Sequence, residues 1–178
     1  MPRRYCGSSK QYAAGRNDPV RTLWAPWRME YILSEKGTEC VFCVKPDEGK
    51  DRDALILHRG ERTFVIMNKY PYTNGHLLVV PYLHVSTLAD LPDDVVADLG
   101  RTTKYAVECL RKAFRPEGFN IGINIGEAAG AGIEEHLHLH IVPRWAGDSN
   151  FMTVVGEVRV LPEHILATYD RLFPVFTP

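Results

Sequence analysis

His136-Leu137-His138-Leu139-His140-Ile141-Val142 places three of the chain's seven histidines at every second position, with an apolar residue in each gap. Side chains alternate across a β-strand, so this stretch reads as a strand with His136, His138 and His140 on one face. Leu137, Leu139 and Ile141 then supply an apolar face for a core. An internal, strictly alternating run that leads into Val142 and Pro143 is not a solvated histidine tail. Imidazole serves near neutral pH as base, acid, metal ligand or nucleophile. Two readings stay open from the residues alone. The three rings hold one ion, or one ring is a nucleophile and its neighbours take other roles. Same-face residues of a strand stand roughly 7 Å apart, from a rise of ~3.3 Å per residue. One straight strand therefore gathers three ligands round an ion awkwardly, and metals usually recruit ligands from separate elements.

Outward from this run, Thr63 to Met67 is strongly β-prone, and His76 to Val80 is a second strand stopped by Pro81. The loop Asn68 to Gly75 joins them as an antiparallel pair, with Pro71, Asn74 and Gly75 as breakers. Leu55 to His58 is short, an edge strand or part of a helix. Pro92 to Phe114 is the clearest helix. Asp93 and Asp94 lie in its first turn, Arg111 and Lys112 near its end, and Val95, Leu99, Ala106 and Leu110 follow helical spacing. Phe119 to Ile125 reads as a strand, Gly126 to Gly132 as a flexible loop, Phe151 to Val160 as β-prone and Pro162 to Phe173 as a closing helix. Strands in runs around one long helix predict an α+β fold, an antiparallel sheet packed with one long and one or two shorter helices.

The 178 residues suit one domain with an extension at either end. Residues 1–20 read as a mobile arm and 21–39 as an aromatic extension in which Trp24, Trp27 and Tyr31 pack onto the body. The main domain is expected over 40–145, with 146–178 packed on it. The net charge of −1 gives no basic field for nucleic acid, and no stretch is long and apolar enough to span a bilayer. Cys40 and Cys43 form a Cys-x-x-Cys pair in a turn after Gly37, while Cys6 and Cys109 stand alone. The pair reads as a structural zinc knuckle or as packed thiols in a reducing cytoplasm.

His136 to Val142 followed by Pro143 resembles the signature of the histidine-triad nucleotide hydrolases and transferases (the HIT family). Gly75-His76-Leu77-Leu78-Val79-Val80-Pro81 and Asn124-Ile125-Gly126-Glu127 resemble its other segments, in the same order. The resemblance implies the HIT-like fold and a covalent nucleotidyl-histidine mechanism. His138 is the implied nucleophile on the α-phosphorus, and His140 the donor to a phosphate oxygen. His76 and Asn124 are implied to face substrate, and Asn68 to hold the ribose, although Asn68 also reads as a turn residue closing a strand. The loop from Gly126 to Gly132 offers backbone N–H groups to phosphate or is simply a loop. Phe64 and Ile66 face a base or fill the core. His84 and His136 would complete a zinc site with Cys40 and Cys43, whereas His58 and His164 match no family role.

Ala131-Gly132-Ile133-Glu134-Glu135 departs from the family, which places glutamine and a hydroxyl residue before the triad. Arg144, Asp148, Ser149 and Asn150 are candidates to compensate. Trp24-Ala25-Pro26-Trp27-Arg28 and Gly147-Asp148-Ser149-Asn150-Phe151 resemble the bacterial branch that contains diadenosine polyphosphate phosphorylases. The expectation is phosphorolysis of a dinucleoside polyphosphate, best diadenosine tetraphosphate, with inorganic phosphate as acceptor and no organic cofactor. Hydrolysis of such compounds or of nucleoside phosphoramidates, with water as acceptor, is the alternative. A metal-dependent hydrolase and a nucleotide-binding partner protein complete the set. The resemblance also implies a homodimer.

Overall fold

The computed structural model describes residues 39–47, 49–148 and 163–176. The β-prone segment 151–160 and the aromatic residues Trp24, Trp27 and Tyr31 lie outside them, as do Ser149 and Asn150. The strands are β1 (Ile56–Arg59), β2 (Thr63–Met67), β3 (Leu77–Pro81), β4 (Gly118–Ile123) and β5 (Leu139–Arg144). Together they form one antiparallel sheet in the order β1-β2-β3-β5-β4. The helices are α1 (Val41–Asp47), α2 (Asp51–Ala54), α3 (Asp93–Phe114) and α4 (Ile165–Phe176).

α3 lies across one face of the sheet. It begins where sequence places it, because Pro92 keeps an extended backbone and Asp93 and Asp94 complement the helix dipole. Leu99, Ala106 and Leu110 of its stripe are buried in one core with Leu77, Val79 and Ile141, all at most 3% exposed, while Val95 packs with Leu91 and Leu137. Each buried leucine, valine or isoleucine there contributes about 1.5–3 kcal/mol by leaving water. Polar groups in this layer are paired: Thr63 donates to the Asp98 carboxylate at 2.9 Å and lies 2.8 Å from the Thr102 hydroxyl. α4 covers α3 and β1, with Tyr169 donating to the Ile56 carbonyl and Tyr105 to the Phe176 carbonyl, both at 2.9 Å.

The histidine strand is shorter at its start than its sequence predicts. β5 runs Leu139–Arg144, so His136 sits in a bend, His138 just precedes the strand, and only His140 is within it. The cause is Pro81, which has no N–H to offer. The β3–β5 ladder ends at Val79 opposite Leu139. Beyond it, the Leu137 N–H turns to the Val85 carbonyl at 2.6 Å, and the Pro81 carbonyl accepts from a side chain instead. At the other end the strand passes through Pro143, which pairs only with β4 and so leaves no β3 partner unsatisfied.

The Cys-x-x-Cys segment is helical rather than a plain turn. The Cys40 carbonyl accepts the N–H groups of Cys43 and Val44 at 3.0 and 3.1 Å and opens α1. Leu55 does not extend β1; it caps α2 in the left-handed conformation, at φ 63°.

Candidate active site

The sheet face opposite α3 carries His76, His138 and His140. Register fixes this: Leu78 pairs with His140 and Ile66 with Leu78, while Leu77, Val79 and Ile141 point to the helix. Phe42 of α1 covers the inner rings, with its centroid 5.4 Å from His136 and 5.2 Å from His138.

Hydrogen bonds define the tautomer of each ring. His138 Nδ1 lies 2.8 Å from the His136 carbonyl. A carbonyl only accepts, so Nδ1 carries the proton and the Nε2 lone pair is bare. His136 Nε2 likewise donates to the Pro81 carbonyl at 2.9 Å, which leaves its Nδ1 unprotonated. His76 Nδ1 accepts the Tyr72 backbone N–H at 3.1 Å and lies 3.3 Å from Asn68 Nδ2. His76 must therefore carry its proton on Nε2 and donate to His140 Nδ1, 2.9 Å away. His140 is left with its proton on Nε2. Burial pushes the pKa of His136, His138 and His140 below the ordinary histidine value, and His138 adds to the effect at His140, which falls to about 4. At neutral pH the cluster thus presents a bare nitrogen on His138 and an N–H donor on His140, with ring centroids 5.0 Å apart.

The first triad histidine faces elsewhere. His136 Nδ1 stands 3.3 Å from Cys40 Sγ and 3.6 Å from Cys43 Sγ, and His84 Nδ1 is 3.3 Å from Cys43 Sγ. All four donor atoms lie within 4.8 Å of one another. A tetrahedral ion bound at usual thiolate and imidazole distances, about 2.3 and 2.0–2.1 Å, has S···N edges of about 3.5 Å. The donor set fits such an ion. The three triad imidazoles do not surround one point, because His138 and His140 each spend Nδ1 on a protein partner.

The other predicted residues divide. His76, expected against substrate, is 1% exposed and has both ring nitrogens engaged, so it stands behind His140. Asn68 is half-buried; its Oδ1 accepts the Tyr70 N–H at 2.9 Å, the turn arrangement that sequence offered as its other reading. Phe64 and Ile66 lie on the site face but are 0% and 3% exposed and belong to the core. Asn124 is half-buried at the end of β4. Gly126 and Gly132 are exposed in the loop that follows. That loop is ordered by a short 3-10 turn, Glu127–Ala129, flanked by Gly126 and Gly130 at φ 79°. Arg144 is committed to Asp148 and Asn120 rather than to the site. Sequence reasoning missed Tyr72, whose backbone N–H sets the His76 tautomer and whose ring lies 4.7 Å from His76. Backbone donors leave no mark in residue type, so nothing in the sequence pointed to that bond.

A neutral imidazole with one bare nitrogen, beside a second imidazole donating N–H, is equipped for group transfer through a modified histidine. The chain belongs to the HIT family: the HIT domain profile matches residues 50–147. Over 158 residues it is 40% identical to the AP-4-A phosphorylase of Mycobacterium tuberculosis, covering 84% of this chain and 80% of that protein. It is 32% identical over 93 residues to the asymmetrical bis(5'-nucleosyl)-tetraphosphatase of Schizosaccharomyces pombe, covering 52% of this chain and 50% of that one. Among solved structures, a Zn-bound histidine triad family protein from Mycobacterium smegmatis superposes with a TM-score of 0.63. It is 29% identical, and the match covers 78% of this chain and 94% of that one.

Proposed function

We propose that the protein is a nucleotidyl transferase that cleaves a dinucleoside polyphosphate, best diadenosine tetraphosphate, at its α-phosphorus with inorganic phosphate as second substrate. The observation that carries this is the His138 ring, held by the His136 carbonyl with Nε2 bare. Nε2 attacks the α-phosphorus, an N–P bond forms, and the P–O bond to the departing ATP breaks with its electron pair going to oxygen. The positive charge that develops on the His138 ring is stabilised by the carbonyl at Nδ1. His140, neutral at working pH, donates a hydrogen bond to the phosphoryl group rather than a proton. A phosphate oxygen then attacks phosphorus, the N–P bond breaks, and ADP leaves. Asn124 and the backbone of Gly126 and Gly132 are the candidates to hold phosphate oxygens, and Asn68 the ribose. The AP-4-A phosphorylase relative supports phosphate as acceptor. Hydrolysis is the second reading, supported by the tetraphosphatase relative.

Cys40, Cys43, His84 and His136 would hold a structural zinc ion with no open position, tying α1 to the segment before β5. Their mixed thiolate and imidazole donors support zinc, and a Cys-x-x-Cys pair used for metal rather than for a disulfide supports a reducing, cytoplasmic location. Among the described residues no helix is long and apolar enough to cross a membrane. A homodimer through the sheet edge is supported by β4, an edge strand with Ile121 48% exposed and Ile125 close behind at 45%. Light scattering of the wild type and Ile121→Asp checks it; a monomeric wild type removes it. Products decide the reaction. ADP plus ATP from diadenosine tetraphosphate, only when phosphate is present, supports phosphorolysis; AMP plus ATP, indifferent to phosphate, means hydrolysis.

A further inference from the structure

Three segments carry the four metal donors, and each of them also reaches toward His138. His136 turns its ring to the donor set and its own carbonyl to His138 Nδ1, at 2.8 Å. That carbonyl belongs to the peptide unit between His136 and Leu137. The same unit donates the Leu137 N–H to the Val85 carbonyl at 2.6 Å, and Val85 directly follows the donor His84. Cys40 and Cys43 bracket Phe42, which is 5% exposed and packs its ring on His138 at 5.2 Å between centroids. No sheet ladder holds the peptide that faces the nucleophile, because both ladders of β5 begin at Leu139. Its orientation rests on the Val85 contact and on the His136 ring. That ring is fixed at Nε2 by the Pro81 carbonyl and at Nδ1 by its approach to the two thiols. α1 has seven residues, too few for a stable isolated helix, so its place depends on the side chains it buries and the donors it presents.

An ion shared by His84, His136 and the two thiols therefore braces one peptide unit and one ring face, and both belong to the setting of His138. We propose that this metal centre positions the nucleophile, so that its occupancy sets the rate of the chemical step besides securing α1. Phe42 and His136 are then positioning residues. This rests on the reading of His138 as the nucleophile of a nucleotidyl transferase. Attack needs Nε2 bare and aimed at phosphorus, and Nδ1 held by its carbonyl while positive charge develops on the ring. Without the ion the His136 ring keeps only its Pro81 restraint, and the thiols no longer hold Phe42 down. The His136 carbonyl then leaves Nδ1 for part of the time, and His138 divides between two tautomers. One of these carries its proton on Nε2 and does not attack. The layer between the sheet and α3 contains none of the four donors, so the fold persists when the ion is lost.

The test strips zinc from the wild type with a chelator, removes the chelator by gel filtration and then restores the ion with zinc chloride. Elemental analysis follows the metal, near-ultraviolet circular dichroism the fold and nitrogen-15 NMR the His138 tautomer. The rate is kcat at saturating diadenosine tetraphosphate and phosphate. The metal-free protein is expected to stay folded, to show both His138 tautomers and to lose kcat about tenfold or more, as for one weakened charge-assisted hydrogen bond. Zinc is expected to restore both readings. A folded metal-free protein whose His138 keeps its proton only on Nδ1, or whose kcat is unchanged, overturns the proposal. Loss of the fold without the ion also overturns it and leaves the ion a structural role alone. Phe42→Leu tests the second contact with zinc retained: kcat should fall about threefold or more as the ring loses its place, and an unchanged kcat overturns the role of Phe42. Failure of the underlying enzymatic reading looks different. The zinc-loaded wild type then turns over nothing, while the tautomer comparison still decides the coupling.

Discussion

Replacing His76 separates the relay behind His140 from the chemistry in front of it. The ring is 1% exposed, accepts from the Tyr72 amide and donates to His140 Nδ1 at 2.9 Å. His76→Ala removes the donor that keeps His140 Nδ1 unprotonated. A hydrogen bond lost inside a protein costs about 1–3 kcal/mol when one partner is left buried and unmet. Here that cost falls on the tautomer that presents N–H to the phosphoryl group. We expect kcat to fall about 10- to 100-fold. His76→Gln, whose amide can donate in place of Nε2, should recover part of the loss. The assay is steady-state phosphorolysis of diadenosine tetraphosphate, with nitrogen-15 NMR of the imidazoles to read the His140 tautomer and urea unfolding to confirm that each variant folds. A His76→Ala protein that keeps kcat within about threefold, or whose His140 still carries its proton only on Nε2, refutes the relay.

The pH profile follows from the same burial. His138 and His140 are held below the ordinary histidine pKa, His140 at about 4, so the neutral forms persist as pH falls through 6.5. The acid limb of kcat/KM should therefore lie below pH 6.5, and an apparent pKa at or above that value contradicts the assignment. Cys43→Ser should reduce zinc, measured by elemental analysis of purified protein, from stoichiometric to trace and lower Tm; unchanged zinc content places the ion elsewhere. Gly75 and Gly126 both have positive φ, but a Cβ on Gly75 would meet Phe114 at 3.2 Å and Leu110 at 3.3 Å, whereas Gly126 faces open space. Gly126→Ala should cost about 1–3 kcal/mol for its backbone alone, which at φ 79° and ψ 165° is a conformation that essentially only glycine adopts. Gly75→Ala should cost more, and equal urea midpoints would show that α3 yields to the methyl group.

The elements that periodicity governs were legible in the sequence. α3, β2 and the α+β class follow from apolar spacing and from the charges at the helix ends. The pairing of β2 with β3 follows from the breakers between Asn68 and Gly75. Elements governed by one missing hydrogen bond were not. Pro81 shortens the histidine strand, turns His136 away from the substrate face and supplies the carbonyl that fixes its tautomer. The proline was visible in the sequence, but its partner across the sheet was not. Cys40 and Cys43 offered the metal spacing, while the two histidines that approach them come from segments 41 and 93 residues away from Cys43. Only family resemblance pointed to that set. Phe64 and Ile66 alternate correctly onto the site face and are nonetheless core, because the pattern gives a side chain's direction and not what covers it.

Mass analysis of the protein after reaction with diadenosine tetraphosphate in the absence of phosphate, quenched and digested without acid, tests the mechanism at its root. The account predicts one adenylyl group bonded to His138, discharged as ADP when phosphate is added before the quench. An adduct on any other residue, or rapid turnover by a His138→Ala protein, would contradict it.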